Sequence, residues 1–202
     1  MALEIERKFV IHEKSEEILV QKGGIKKREV SFTDRYFDTT NYDLSLSDTW
    51  LRKRGDKWQL KHPPKERCNS LTCQYVEIET DYGIAMYLSH QFPVLFNHSE
   101  ATMVDISQCL TEFAKFVTNR KTYAIDDFNV DFDRTDFDFE VGEIELVDCN
   151  DKQDVHSMVD KVDKFAESLE FSTSERVKSK MEEFLQKFRP EHYKILVEAN
   201  IL

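Results

Sequence analysis

The sequence predicts an α+β protein: a closed antiparallel eight-stranded β-barrel with flanking helices. Two observations carry that prediction. Eight stretches alternate apolar with polar or charged residues at the two-residue period of a strand, and several are joined by turns too short for a crossover helix, which makes neighbours antiparallel. Closing such a set into a barrel removes its unpaired edges.

The first strand is expected over 2–11, where LEIERKFVI sends Glu4, Glu6 and Lys8 to one face and Leu3, Ile5, Arg7 and Phe9 to the other. A helix over about 13–21 leads to the Gly23-Gly24 pair, which lacks the Lys-Ser/Thr of a P-loop and reads as a turn. Strands follow at 27–38, 48–54 and 57–62, and in TWLRKRGDKWQLK the Gly55-Asp56 pair supplies the last of these turns. A strand at 72–80, a helix at 82–91 and strands at 112–122, 125–133 and 138–148 complete the barrel. Beyond it, residues 151–169 place Val155, Met158, Val159, Val162, Phe165, Ala166 and Leu169 at helical spacing. Ser174 is expected to cap a second helix running through Val177, Met181, Phe184, Leu185 and Phe188, and a short third one to start at Pro190.

At 202 residues, with 40% hydrophobic and 33% charged residues and no linker-like stretch, the chain reads as one domain spanning 1–202. No apolar run approaches the roughly 20 residues of a membrane helix, and residues 1–20 lack a signal peptide's apolar stretch, so no membrane association and a cytoplasmic location are expected. Cys68, Cys73, Cys109 and Cys149 have no zinc-ligand spacing and are expected as reduced thiols. The six histidines are scattered. A formal net charge of -11 disfavours nucleic acid as a partner. An acidic protein that binds a small polyanion must gather its bases in one place, or set metal ions between its carboxylates and the ligand. A closed barrel needs no second chain, so a monomer is expected.

The charged faces of the strands meet that condition. WLRKR aligns Arg52 and Arg54 with Trp50, WQLKH contributes Lys61, and VEIE pairs Glu77 with Glu79. NVDFD gives Asp131 and Asp133, GEIEL gives Glu143 and Glu145, and Arg120 lies in another strand. Any one such strand most often shows its charges to solvent. Acidic pairs segregated in some strands and basic pairs in others instead suggest a hollow with an acidic and a basic side. Buried charges require counter-charges, and a metal triphosphate supplies both signs. Hard cations such as Mg²⁺ or Mn²⁺ take carboxylate and phosphate oxygens, and Arg and Lys stabilise charge on a leaving phosphate.

The ordered series EIERKF, YFDTTNYDLSLSDTWLRKR, WQLK, VEIE, TNR, VDFD, GEIEL, SKM and FRPEHY runs from residue 4 to about 193. It resembles the CYTH superfamily, the triphosphate tunnel metalloenzymes, and most of all their thiamine triphosphatase branch. The resemblance implies an eight-stranded tunnel, a divalent metal (Mg²⁺, with Mn²⁺ as an alternative), and hydrolysis of thiamine triphosphate to thiamine diphosphate and phosphate. It makes Glu4, Glu6, Asp131, Glu143 and Glu145 the metal-facing group, and Lys8, Arg52, Arg54, Lys61, Arg120 and Lys180 the phosphate clamp. Trp50 matches the position that stacks on the thiamine ring, and Tyr36 and Lys61 match positions linked to proton handling. Glu77 matches an acidic position in the substrate-binding group that Glu79 could fill instead. Read from the residues alone, Lys180 is as well placed to lie along its helix surface, Trp50 to be core, Asp133 and Asp136 to be solvated loop acids, and Asp38 to cap a turn. Inorganic tripolyphosphate hydrolysis in the same tunnel, adenylate cyclisation and a non-catalytic polyphosphate-binding module are the competing readings.

Overall fold

The computed structural model describes residues 2–68, 70–96, 102–148, 154–171 and 175–202. Its strands are β1 (Ala2–Phe9), β2 (Ile25–Asp38), β3 (Trp50–Arg54), β4 (Lys57–His62), β5 (Cys73–Ile78), β6 (Thr111–Ile125), β7 (Phe128–Thr135) and β8 (Glu140–Asp148). They form one closed barrel in the order β1-β5-β4-β3-β2-β6-β7-β8, antiparallel at every pairing. Each expected strand is present. The largest boundary differences are at the β6–β7 turn, where β6 continues to Ile125 and β7 starts only at Phe128 because these two residues pair across a two-residue turn. Asp126 takes the left-handed conformation there, with φ 49°, which Asp tolerates better than most residues. β3 starts at Trp50 because Ser45–Ser47 form a short 3-10 turn that ends on Asp48, also left-handed at φ 52°. Asp38 caps this corner: its carboxylate accepts from the backbone N–H of Thr39, Leu44 and Ser45 at 2.7, 2.9 and 2.9 Å.

The helices are α1 (Ser15–Gln21), α2 (Asp81–Gln91), α3 (Met103–Gln108), α4 (Val155–Ser168), α5 (Lys180–Phe188) and α6 (Pro190–Glu198). α3, which the sequence reading did not anticipate, is a single short element closed by a capping box between Thr102 and Asp105. The start of α5 corrects an expectation. Ser174 lies outside the described residues, Val177 precedes the helix, and the cap is Ser179, whose hydroxyl accepts from the Glu182 N–H at 3.0 Å. Residues 175–179 stay non-helical and several of them line the barrel's central cavity. No helix among the described residues is long and apolar enough to cross a membrane. Cys68, Cys73 and Cys109 are free thiols, and Cys149 lies outside the described residues.

The helices jacket the outer face of the strands. Under α4, Ile5, Phe9, Val130, Phe132 and Ile144 pack with Met158, Val159, Val162 and Ala166. Under α2 and α3, Leu51, Trp58, Leu60 and Ile78 pack with Ile84, Leu88, Met103 and Ile106. One end is instead packed from the inner side: Tyr36 and Phe116, which share the face of Asp34, Arg52 and Arg54, meet Phe113 together with Met181 and Leu185 of α5 and Leu196 of α6. Gly142 on β8 is fixed by this packing, because a Cβ there would sit 2.0 Å from the ring of Phe9, its cross-strand partner. Arg7 is the charged exception on the jacketed face of β1, answered by Asp163 on α4 at 3.4 Å. With apolar groups outside, the alternating residues that remain point inward.

Candidate active site

Inside the barrel is a cavity of about 330 Å³. Every residue the sequence reading assigned to metal, phosphate or proton handling lines it: Glu4, Glu6, Lys8, Tyr36, Trp50, Arg52, Arg54, Lys61, Glu77, Arg120, Asp131, Glu143, Glu145 and Lys180. Strand alternation delivers most of them from one face of each strand, and Lys180 enters as the first residue of α5. Glu77 lines the cavity while Glu79 is exposed and takes the Gln59 side-chain N–H at 2.7 Å, which decides between the two in geometry.

The charges are paired. Lys61 meets Glu4, and Lys8 meets Glu6. Arg54 grips Asp34 with two N–H···O bonds of 2.7 Å, and Arg52 reaches Asp34 at 3.7 Å and Glu77 at 3.4 Å. Arg120 binds Asp131, both oxygens of Asp133 at 2.6 and 2.5 Å, and Glu143 at 2.7 Å. Lys180 binds Asp133 and Glu143, each at 2.5 Å. The expected separation into an acidic and a basic wall therefore holds in part. β7, β8 and β1 adjoin one another and carry the carboxylates, while β3 and β4 carry bases on the other side. Arg120 and Lys180, however, stand among the acids.

Protonation follows from this crowding. Burial alone would push Lys61 down, but the carboxylates of Glu4 and Glu6 outweigh it and hold the ammonium well above its ordinary range. Lys8 and Lys180 are raised in the same way, against burial, by neighbours that include Glu6, Glu143 and Asp133. Burial raises Glu4, yet Lys61 together with a hydrogen bond from Glu145 lowers it to about 2. Glu145 goes the other way: burial and then the adjacent Glu4 charge raise it, so these two carboxyls share one proton. Burial also raises Asp131, whose Oδ1 is buried without a hydrogen-bond partner.

That donor set suits a hard cation. Among the described residues no three acidic, His or Cys side chains close into a ready-made cage. The Glu4–Glu145 pair and the unpartnered Asp131 oxygen instead offer one or two carboxylates at a time, which is the supply Mg²⁺ usually takes, leaving its other positions to water and phosphate oxygens.

The CYTH domain model matches residues 2–189. The chain belongs to the CYTH family. Thiamine-triphosphatases of Homo sapiens and Macaca fascicularis are each 30% identical to this CYTH protein, over 98% of its length and 90% of theirs. It falls in that branch of the family, among phosphoanhydride hydrolases. In fold, this CYTH protein is similar to PH1819 of Pyrococcus horikoshii OT3, with a TM-score of 0.61 at 21% identity over 91% of this chain and 99% of that one.

Two buried acids of this CYTH protein that hold the cavity's bases escaped the sequence reading. Asp133, expected as a solvated loop acid, is 1% exposed and holds Arg120 and Lys180. β7 runs on to Thr135, so Asp133 keeps the inward parity it shares with Asp131, and that parity was the available signal. Asp34 is fully buried beneath Arg52 and Arg54, and sits two residues before Tyr36 on the same face of β2. Asp136, by contrast, is exposed as expected.

Proposed function

We propose that this CYTH protein hydrolyses thiamine triphosphate to thiamine diphosphate and phosphate inside the barrel, with Mg²⁺ or Mn²⁺ as its cofactor, acting as a monomer on a small molecule. The observation that carries the reading is the single cavity in which Lys8, Arg52, Arg54, Lys61, Arg120 and Lys180 converge with Glu4, Glu6, Asp131, Glu143 and Glu145. A surface that binds a polyanion passively has no use for that many buried acids beside its bases. A substrate that is itself anionic and arrives with divalent cations accounts for both signs.

In this reading, Lys8, Arg52, Arg54, Arg120 and Lys180 exchange carboxylate partners for phosphate oxygens. The exchange frees Glu6, Asp131 and Glu143, which join Glu4 and Glu145 as oxygen donors for the metal, so phosphate and metal binding reinforce each other. The metal, when held there, supplies charge neutralisation and polarises the phosphoryl oxygens. Lys61 keeps its proton at neutral pH because Glu4 and Glu6 raise it, so it acts as a donor to the departing diphosphate oxygen and not as a base. Tyr36 is buried directly opposite Arg52 across the β2–β3 pair, and its part is to orient that guanidinium. Glu77 braces Arg52 from the other side. Trp50, half-buried on β3, meets the organic end.

The relatives' activity supports thiamine as that organic end, and tripolyphosphate is the alternative, because most of the lining addresses phosphate alone. The experiment compares kcat/KM for thiamine triphosphate, tripolyphosphate and ATP with Mg²⁺, with Mn²⁺ and with chelator, reading released phosphate and pyrophosphate. Metal-dependent phosphate release that is fastest on thiamine triphosphate is the expected result. Equal or better use of tripolyphosphate overturns the substrate, pyrophosphate release from ATP reassigns the reaction to cyclisation, and no turnover with any divalent metal reduces the protein to a binding module.

A further inference from the structure

Where β3 begins, one carboxylate gathers three different donors. Asp48 Oδ1 accepts from the Trp50 indole N–H at 2.9 Å and from the Tyr75 hydroxyl at 2.8 Å. Its Oδ2 accepts from the Arg67 guanidinium at 2.6 Å. Asp48, Trp50 and Tyr75 all line the cavity, whereas Arg67 reaches in from the 63–72 segment between β4 and β5. The Asp48 side chain is 14% exposed and that of Arg67 is 43% exposed, so the carboxylate is set into the structure and its cation is at the rim.

The frame under Asp48 is stiff. Asp48 ends the 3-10 turn with its N–H on the Ser45 carbonyl at 3.0 Å, and Ser45 is pinned through its N–H to Asp38 and through its hydroxyl to His192, both at 2.9 Å. Oδ1 then fixes the tilt of one indole and one phenol. That leaves Oδ2 facing a planar, delocalised, weakly hydrated cation, the guanidinium, which also lies 5.5 Å from the centre of the Tyr75 ring. Such cations favour aromatic faces. The mouth thus already holds one flat cation between a carboxylate and an aromatic ring, supplied by the protein itself.

We propose that Asp48, Trp50 and Tyr75 form a collar that selects a flat organic cation on the non-phosphate end of the substrate, and that Arg67 is its built-in occupant, displaced when the substrate enters. Asp48 is then the specificity-determining charge of the site, and Arg67 is a competitor that keeps the collar closed to neutral groups. This rests on the thiamine triphosphate reading, in which the thiazolium is that cation. It goes beyond stacking on Trp50, because it assigns a counter-charge and an internal rival to the ring.

The two roles demand opposite signs. Asp48→Asn removes the charge and keeps the size, and is expected to raise KM for thiamine triphosphate about tenfold, the worth of one charge-assisted contact, with a smaller change on tripolyphosphate. Arg67→Ala is expected to lower KM for thiamine triphosphate, and to strengthen binding of free thiamine read by tryptophan fluorescence. A merely structural ion pair would weaken both when either partner is removed. Parallel losses in the two variants, or equal effects on the two substrates, overturn the collar. Failure of the wild-type protein to prefer thiamine triphosphate overturns the substrate reading by itself, and the collar then stands or falls on free thiamine: tighter in Arg67→Ala and weaker in Asp48→Asn upholds it, any other order sinks it. Arg67 is on a rim segment, so its variant keeps the test open if Asp48→Asn does not fold.

Discussion

Along β1, Glu4, Glu6 and Lys8 face the lumen while Ile5 and Phe9 face α4, and residues one position apart obey different rules. On the jacketed face what matters is shape: Phe9 stacks on Phe171 at 4.4 Å and meets Phe132 edge-on at 5.7 Å, and glycine is the residue that fits opposite. In the lumen what matters is charge, and shape is open enough to leave a cavity. Interiors usually hold the apolar groups and surfaces the charges. Here the barrel wall is apolar on its outside, where helices cover it, and ionic on its inside. The strand's two-residue period lets one segment serve stability on one face and chemistry on the other, so substitutions on the two faces should separate those properties.

The largest expected effect is on the jacket. Gly142→Ala drives a methyl into the Phe9 ring, and overpacking of that kind should cost about 3 kcal/mol, read as a lower urea midpoint at unchanged slope. Phe9→Leu in the same chain should recover part of the loss, since the two positions are cross-strand partners. Additive losses would mean that the strain lies elsewhere. In the lumen, Glu145→Gln should cut metal-dependent turnover by about 100-fold while leaving the urea midpoint unchanged or higher. The amide replaces a carboxyl that burial and Glu4 already keep protonated, so the fold loses no charge it was using. A collapse in stability equal to that of Gly142→Ala would erase the distinction between the faces.

A smaller effect tests the acid that the sequence reading misplaced. Asp133 touches Arg120 and Lys180, so in the proposed mechanism it positions two phosphate-binding cations. Asp133→Asn should raise KM for triphosphate about tenfold and leave the metal concentration for half-activity nearly where it was. A shift in metal dependence with KM unmoved would make Asp133 a ligand instead.

How much was legible follows from the same parity rule. The eight strands, the antiparallel pairing of neighbours and the inward faces were readable because each strand alternates and several turns are short, as at Gly55-Asp56, where Gly55 takes a positive φ of 59°. Strand ends were not, because pairing partners set them, as Phe128 does for Ile125. Asp133 was lost at such an end. Asp34 was passed over because in SFTDRYFD its neighbours two residues away are Phe32 and Tyr36, where the other strands show a second acid at that spacing. Arg120 and Lys180 were readable as bases but not as neighbours of Asp131, Asp133 and Glu143, since that depends on the register of the β6–β7 and β7–β8 pairs, which sets Arg120 opposite Asp133, and on where α5 begins over the cavity. The role of α5's start was hidden for a similar reason: Arg176 holds Glu182 at 2.8 Å and keeps residues 175–179 over the cavity instead of in the helix.

The most gradual expected effect lies where jacket and lumen meet. His192 of α6 is 1% exposed, stacks on Tyr42 at 3.7 Å, and shares a hydrogen bond with Ser45 on the turn that leads to Asp48 and Trp50. Burial, and then the positive charge of Arg189, lower its pKa to about 4, against about 6.5 in an unfolded chain. Between those values the unfolded chain binds a proton that the native one refuses, so stability rises with pH through this window. The contribution is complete above about 6.5 and is lost as pH falls toward 4, with a slope no steeper than about 1.4 kcal/mol per pH unit for one proton. His192→Asn removes that proton site, so its stability deficit relative to wild type should shrink steadily from pH 7 to pH 4 in thermal melts. Parallel curves for the two proteins would mean that His192 titrates alike in both states. The turn beneath Trp50 would then have to be held by Asp38 and its three backbone N–H groups, without help from α6.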